Sequence, residues 1–263
     1  MKNYSNTNFS FDKIAIIYNK SAKSLDLVEK LKRFYQFCEI EHAEVIVVVG
    51  GDGALLHAIH NYMYLEIPFY GISSGNIGFL MNSVIIEKFI ENLHDSIISY
   101  LHPLKMQALD VHDNIHEALA INEVSIFRKT NQAAKFKIEI NGVERMSELV
   151  ADGAMVSTPA GSSAYNLSAG GPILPLESNI LCLTPIAPFR PRRWHGALLP
   201  LSTNVKFEIL EYAKRPVNAT ADFQEFCNIK SVSINSVRTK IIKILFDKKN
   251  SLENRITKEQ FNR

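Results

Sequence analysis

Along the first hundred positions the apolar residues alternate between two patterns. Ile14-Ala15-Ile16-Ile17-Tyr18 is a short run without polar alternation, and between Ser24 and Phe37 the residues Leu27, Leu31 and Phe34 recur at helical spacing. The first reads as a strand and the second as a helix. Val45 to Val49 is a β-branched run, Ala54 to Tyr64 is patterned as a helix, and Ile67-Pro68-Phe69-Tyr70 is a third short strand. Ser83 to Ser99 carries Ile86, Phe89, Ile90 and Leu93, again at helical spacing. Strand and helix in alternation predict a parallel sheet covered on both faces.

Beyond His102-Pro103 the pattern changes, because strand-like segments follow one another with turns between them. Gln107 to His112, Ala118 to Phe127, Phe136 to Ile140, Ala154 to Ser157, Val205 to Leu210 and Val232 to Asn235 are the clearest. Asn141-Gly142 is a hairpin signal. The fold class expected is therefore α/β plus all-β: a parallel α/β domain over 1–102, a mainly antiparallel, sandwich-like β domain over 103–246, and a charged extension over 247–263.

Composition narrows the function classes. With 263 residues, 46% hydrophobic and 21% charged, the chain can bury an ordinary core. Its net charge of +2, from scattered basic residues, gives no reason to expect nucleic acid or an anionic membrane as partner. Cys38, Cys182 and Cys227 are far apart and lack CxxC spacing, so neither a disulfide framework nor a zinc site is expected. The opening Met1 to Asn8 is polar, unlike an export signal, and the densest apolar run falls far short of the roughly 20 residues that span a bilayer. A cytoplasmic protein is expected.

Val45-Ile46-Val47-Val48-Val49-Gly50-Gly51-Asp52-Gly53-Ala54-Leu55-Leu56 reads as a buried strand running through a glycine-rich turn into a helix. Such a turn lets backbone N–H groups approach an anion, with the helix N-terminus adding favourable potential, so Gly50, Gly51 and Gly53 are candidate phosphate-binding residues. The plainer reading is a βα turn with Asp52 as helix cap. Neither GxxxxGK[ST] nor GxGxxG is completed, which disfavours a Walker-type nucleotidase or an ordinary dehydrogenase. An acid in such a turn can accept a proton from a substrate hydroxyl or hold a magnesium ion.

Three further clusters stand out. Gly71-Ile72-Ser73-Ser74-Gly75-Asn76-Ile77-Gly78-Phe79 follows the third strand and is expected at the same carboxyl edge of the sheet, where ligands bind in open α/β folds. Asn122-Glu123 interrupts an apolar stretch, so at least one polar group there needs a buried partner, whether from a ligand or from the fold. Asp152 to Pro172 is rich in small hydroxylated residues around Tyr165. Serine nucleophile chemistry fails there on spacing, since Tyr165 stands where GxSxG needs glycine.

Taken together, Gly50-Gly51-Asp52-Gly53, Gly75-Asn76-Ile77-Gly78-Phe79, Asn122-Glu123 and Thr158-Pro159-Ala160-Gly161-Ser162-Ser163-Ala164-Tyr165 resemble the bacterial NAD kinase family in order and spacing, from about residue 13 to about residue 245. Gly-Gly-Asp-Gly also occurs in diacylglycerol, sphingosine and phosphofructokinases, and the Asn-Glu pair with the Thr-Pro-Ala-Gly stretch makes the likeness specific. The resemblance implies an ATP-dependent kinase acting on NAD. Asp52 would take the proton of the adenosine ribose 2′-hydroxyl, with Gly53 and His57 beside it. Asn122 and Glu123 would hold the adenosine part and Asp152 the nicotinamide end. Ser163, Ala164, Tyr165, Asn166, Leu167 and Ser168 would line the nucleotide pocket, with Ala187 and Gln224 as further contacts.

The same resemblance implies a homodimer or homotetramer, and phosphoryl transfer itself implies Mg2+ or another divalent metal. A non-catalytic dinucleotide sensor and a lipid kinase of related fold are the alternatives. Many relatives have Asn where Ser73 stands, Thr or Ser where Ala160 stands, and a basic residue where Val150 stands. Pro188-Phe189-Arg190-Pro191-Arg192-Arg193-Trp194-His195 could attract phosphate or form a surface or subunit-contact segment.

Overall fold

The β-branched run from Val45 to Val49 forms a strand in which every residue is buried, as a strand covered on both faces requires. In the computed structural model, which describes residues 9–75 and 78–248, it belongs to a first unit. That unit contains β1 (Ile14–Tyr18), α1 (Ala22–Phe34), β2 (Val45–Gly50), α2 (Asp52–Tyr62), β3 (Phe69–Ser73), α3 (Phe89–His94) and β4 (Ile97–Leu101). β1, β2 and β3 pair in parallel. Val45, Val47, Val49, Tyr70, Ile72, Phe89 and Leu93 build one core on this sheet.

α1 starts at Ser21, whose hydroxyl accepts the Ser24 N–H, and carries Lys32 and Arg33 in its last turn, where cations suit the helix dipole. It buries Ser24, Val28 and Leu31, while Phe34, expected on the apolar row, is 62% exposed. A serine fits the buried row because its hydroxyl donates to Ser74 Oγ at 2.8 Å. Of the helix expected from Ser83 to Ser99, only Phe89–His94 is α-helical, and Ile97–Leu101 is a strand. β-branched Ile97 and Ile98 have a strand partner available at that sheet edge, and tertiary pairing overrides the helical period.

The second unit, His102–Lys240, is built from β5 (Leu104–Asp110), β6 (Ile115–Ala120), β7 (Glu123–Arg128), β8 (Ala134–Ile140), β9 (Val143–Ala151), β10 (Gly153–Ser157), the one-turn helix α4 (Tyr165–Ser168), β11 (Ile180–Ile186), β12 (Ala197–Pro200), β13 (Val205–Leu210), β14 (Val217–Ala221), β15 (Gln224–Phe226) and β16 (Ile229–Ser236). One antiparallel sheet runs β12-β11-β10-β7-β14-β15 and the other β6-β5-β16-β13-β8-β9. Their facing residues, among them Val124, Ile126, Ala154 and Val156 against Met106, Phe136, Phe207 and Val232, share one core. The β8–β9 hairpin turns at Asn141 and Gly142, both with positive φ (53° and 77°), as the Asn-Gly signal predicts.

Several segments differ from those the residue pattern predicts, two of them in where the chain runs. The stretch from Ala118 to Phe127 is not one strand, because the chain leaves one sheet after Ala120 and enters the other at Glu123. Residues 242–246, expected in the second domain, form β17 (Ile242–Phe246), which lies parallel to β3 and antiparallel to β4 inside the first unit's sheet. Of the extension expected from 247, all beyond Lys248 lies outside the described residues. No helix among the described residues is long and apolar enough to cross a membrane.

Candidate functional site

The candidate residues divide between the two units. In the first, β2 ends at Gly50, Gly51 is the N-cap of α2, and Asp52 is the first helical residue. Asp52 does not cap its own helix. Its carboxylate instead accepts N–H bonds from the second glycine-rich turn, Oδ2 from Phe79 at 2.8 Å and Oδ1 from Leu80 at 3.0 Å. The Ser74 N–H bonds to Gly50 O at 3.0 Å, so the two turns are joined along the carboxyl edge of β2 and β3, as expected. Asn76 and Ile77 of that turn lie outside the described residues.

A β-carbon on Gly51 or Gly53 would meet no protein atom within 4 Å. Packing therefore does not demand glycine at either position, and what glycine provides there is an accessible backbone at a helix N-terminus, suited to an anion. His57 lies four residues after Gly53 on α2 and is exposed, so the two share one helix face.

In the second unit the break between β6 and β7 holds Asn122 and Glu123. Their backbone is bound on all sides. The Asp222 carboxylate accepts the N–H groups of Ile121, Asn122 and Glu123 at 2.7, 2.9 and 3.2 Å. Thr158 donates its hydroxyl to Ile121 O at 2.7 Å and its N–H to Asn122 O at 2.9 Å. Gly161 packs so closely on Asn122 that a β-carbon there would lie 2.3 Å from the Asn122 carbonyl oxygen, which accounts for glycine at this point of the loop.

The side chains are in the opposite state. Asn122 Oδ1 and Glu123 Oε2 are buried and, among the described residues, have no hydrogen-bond partner. Burial pushes the Glu123 carboxyl up to about 8, and the nearby Asp222 charge adds to the effect. The Tyr165 phenol is likewise raised, first by burial and then by the charges of Glu123 and Asp152.

The stretch 163–168 does not act as one surface. Tyr165 and Leu167 are 40% and 36% exposed, and Ser168 is exposed too, with Ser163 and Ala164 half-buried. Asn166 is fully buried: its Nδ2 donates to Ser162 O at 3.1 Å and Pro172 O at 3.0 Å, and its Oδ1 accepts the Thr184 hydroxyl at 2.6 Å. Asn166 thus holds the loop together from inside. Ser162 donates to Pro159 O and accepts the Leu174 N–H, a structural role far from that of a nucleophile.

Asp152 sits between β9 and β10 and pairs with Arg128, Nε to Oδ1 at 2.5 Å. Its N–H bonds to Ile186 O at 3.0 Å, which brings Ala187 beside it in a left-handed conformation, φ 47°. Gln224 opens β15 two residues after Asp222 and is exposed. In the basic segment, the guanidinium groups of Arg190 and Arg192 each lie 5.6 Å from the Phe189 ring, and Phe189 and Arg190 bond to the Val150 backbone.

Residue patterns alone do not single out Asp222, Thr158 or Arg128. Thr158 lies inside the Thr-Pro-Ala-Gly stretch, but Asp222 and Arg128 have no local pattern, and their partners are distant in the chain. Among the described residues, no three His, Cys, Asp or Glu side chains are grouped as a metal site.

Comparison with known proteins gives a consistent picture. The family model of the ATP-NAD kinase N-terminal domain matches residues 1–98, and that of the ATP-NAD kinase C-terminal domain matches residues 121–239. The chain is 66% identical over 252 residues to the NAD kinase of Rickettsia canadensis (strain McKiel), covering 96% of this chain and 99% of the relative. With the same coverage it is 67% identical to the NAD kinase of Rickettsia bellii (strain OSU 85-389). Among solved structures, yeast NADH kinase complexed with NADH aligns with a TM-score of 0.78 at 19% identity, over 95% of this chain and 88% of that one. An NAD kinase from Archaeoglobus fulgidus in complex with ATP aligns with a TM-score of 0.72 at 22% identity, over 94% and 98%. At such identities these two structures speak for the fold.

Proposed function

The chain belongs to the NAD kinase family, and we propose how its own residues move the terminal phosphoryl group of ATP onto NAD. The adenosine ribose 2′-hydroxyl attacks the terminal phosphorus. A new bond forms from the ribose oxygen to phosphorus, the bond from phosphorus to the ADP oxygen breaks, and the hydroxyl proton passes to the Asp52 carboxylate. Each Asp52 oxygen holds one backbone N–H, which fixes the carboxylate and leaves lone pairs for the proton. The backbone N–H groups at the start of α2 receive phosphate oxygens. Gly50, Gly51 and Gly53 let them approach.

Asn122 and Glu123 take the adenosine part of NAD. The observation that carries this reading is the contrast between their bonded backbone and their buried, unpartnered side-chain oxygens. A buried polar atom without a partner costs about 1 to 3 kcal/mol, so the fold carries an expense that hydroxyl or amine donors of a ligand would remove. Tyr165, 40% exposed, offers a ring face for stacking. Asp152, Ala187 and Gln224 serve as further contacts, and Ser163, Ala164, Leu167 and Ser168 border the pocket. Family membership sets aside the lipid-kinase alternative, and an intact Asp52 is at odds with a non-catalytic sensor.

A divalent metal fits this donor set. Mg2+ keeps waters and is usually bound by one or two carboxylates together with substrate phosphates, so a cage of protein ligands is not required; Asp52 would be the side chain to hold it only in place of accepting the proton, and otherwise the substrate phosphates and water would. Bound there, it would neutralise charge on the transferring group. We place the protein in the cytoplasm as a homodimer or homotetramer. Its three cysteines are free thiols in this fold, as a reducing compartment favours.

The test is direct. Purified protein is incubated with NAD, ATP and Mg2+ and NADP is measured, with EDTA in a parallel reaction and light scattering on the same sample. NADP formation that EDTA abolishes, from an oligomer, is the expected result. Turnover by a monomer would remove the subunit proposal, and turnover in excess EDTA the metal proposal.

A further inference from the structure

We propose that Asp222 is a positioning residue, which fixes the backbone of residues 121–123 so that Asn122 and Glu123 present their side chains to NAD. This rests on the reading of that pair as NAD contacts.

Consecutive N–H groups of a strand point to opposite sides, so three in a row cannot reach one acceptor while the strand persists. At Ile121, Asn122 and Glu123 all three reach the Asp222 carboxylate. The chain there forms a small nest of N–H groups around an anion, and the anion is one of its own side chains. This is why the apolar stretch from 118 to 127 breaks where it does. In return the Asp222 N–H donates to Glu123 O at 3.1 Å. With Thr158 bonded to the carbonyls of Ile121 and Asn122, every backbone polar group of residues 121–123 has a partner.

Asp222 is itself well placed to hold still. It lies in the two-residue turn between β14 and β15 at φ 53°, a left-handed conformation that Asp and Asn adopt more readily than most residues. A backbone with no free group, carrying two side-chain oxygens that lack partners among the described residues, is the arrangement expected of a recognition element held in advance of its ligand.

Asp222→Asn is the test. Asn keeps the size and the left-handed turn, but one of its two terminal atoms becomes an NH2 group facing backbone donors. The expected result is a rise of about tenfold or more in the KM for NAD, with kcat and the KM for ATP within about threefold of wild type. On an Asn122→Ala background the same change should raise the KM for NAD by less than about threefold, because residues acting as a unit are not additive. If Asp222→Asn fails to fold, Asp222→Gly keeps the turn and carries the same comparison. A lower melting temperature with an unchanged KM for NAD would overturn the proposal, as would full additivity with Asn122→Ala. Unchanged NAD KM values in both Asn122→Ala and Glu123→Ala would instead sink the binding role of the pair, and the proposal with it.

Discussion

Asp52 and Gly78 are in such close contact that a β-carbon added to Gly78 would lie 2.2 Å from Oδ1 of the acid and 2.6 Å from Oδ2. The carboxylate is therefore gripped from two directions, by the N–H groups of Phe79 and Leu80 and by the bare backbone of Gly78. Its position is a property of both glycine turns together.

Gly78→Ala is accordingly expected to push Asp52 out of place and to lower kcat by about 10²-fold, the scale of loss that an ångström of misplacement produces. Circular dichroism should show the fold retained. Wild-type kcat in this variant would mean that the loop yields instead of the acid.

Asp52→Asn should cost more than its isosteric shape implies. It removes the proton acceptor, a change that typically lowers the rate by about 10² to 10⁴. It also leaves either Phe79 or Leu80 donating to an NH2 group. Steady-state kinetics should show at least the lower figure, and retention of more than about a tenth of the rate would contradict the catalytic assignment.

Glu123 gives the protein a pH signature. Folded, its carboxyl keeps the proton up to about 8, whereas the ordinary value is 4.5. Between those values the folded state binds the extra proton, so stability from this group falls as pH rises through the interval. Glu123→Gln removes the titration while keeping the shape. Its melting temperature should match wild type near pH 5 and exceed it increasingly toward pH 8.5, and a gap that stays constant with pH would refute the assignment.

Asn166→Ala should act through the loop it holds. The change leaves the buried Thr184 hydroxyl without its acceptor and removes the amide donor from the Ser162 and Pro172 carbonyls, the latter keeping only the Cys182 thiol, for a loss of about 1 to 3 kcal/mol. Denaturant unfolding should report that loss, and the KM for NAD should rise as the 158–171 segment loosens. Unchanged stability would show that water replaces the amide at no cost.

Much of the fold and of the site is legible in the residues, and the parts that are not have common causes. Strands such as Val45–Gly50 and Val205–Leu210 declare themselves through burial on both faces or clean alternation, and Asn141-Gly142 names its own turn. The glycine turns and the Asn122-Glu123 pair stand out because their composition breaks with their surroundings. The break at Ile121 does not, since its cause is a carboxylate 101 residues away. The burial of Asn166 is not legible either, because a small polar side chain in a Ser/Gly loop looks alike whether it faces solvent or the interior. Phe34 shows that apolar periodicity alone does not say which helix face is covered.

The last strand sets a condition on how the protein is made. β17 lies between β3 and β4, so the sheet that begins at residue 14 lacks an interior member until residue 246 has left the ribosome. Synthesis proceeds at about 5 to 20 residues per second, and for all that time β3 has an unpaired edge. The β-rich unit, contiguous from His102 to Lys240, is complete first, although more than a third of the chain precedes it. The half that carries Asp52 is begun first and finished last.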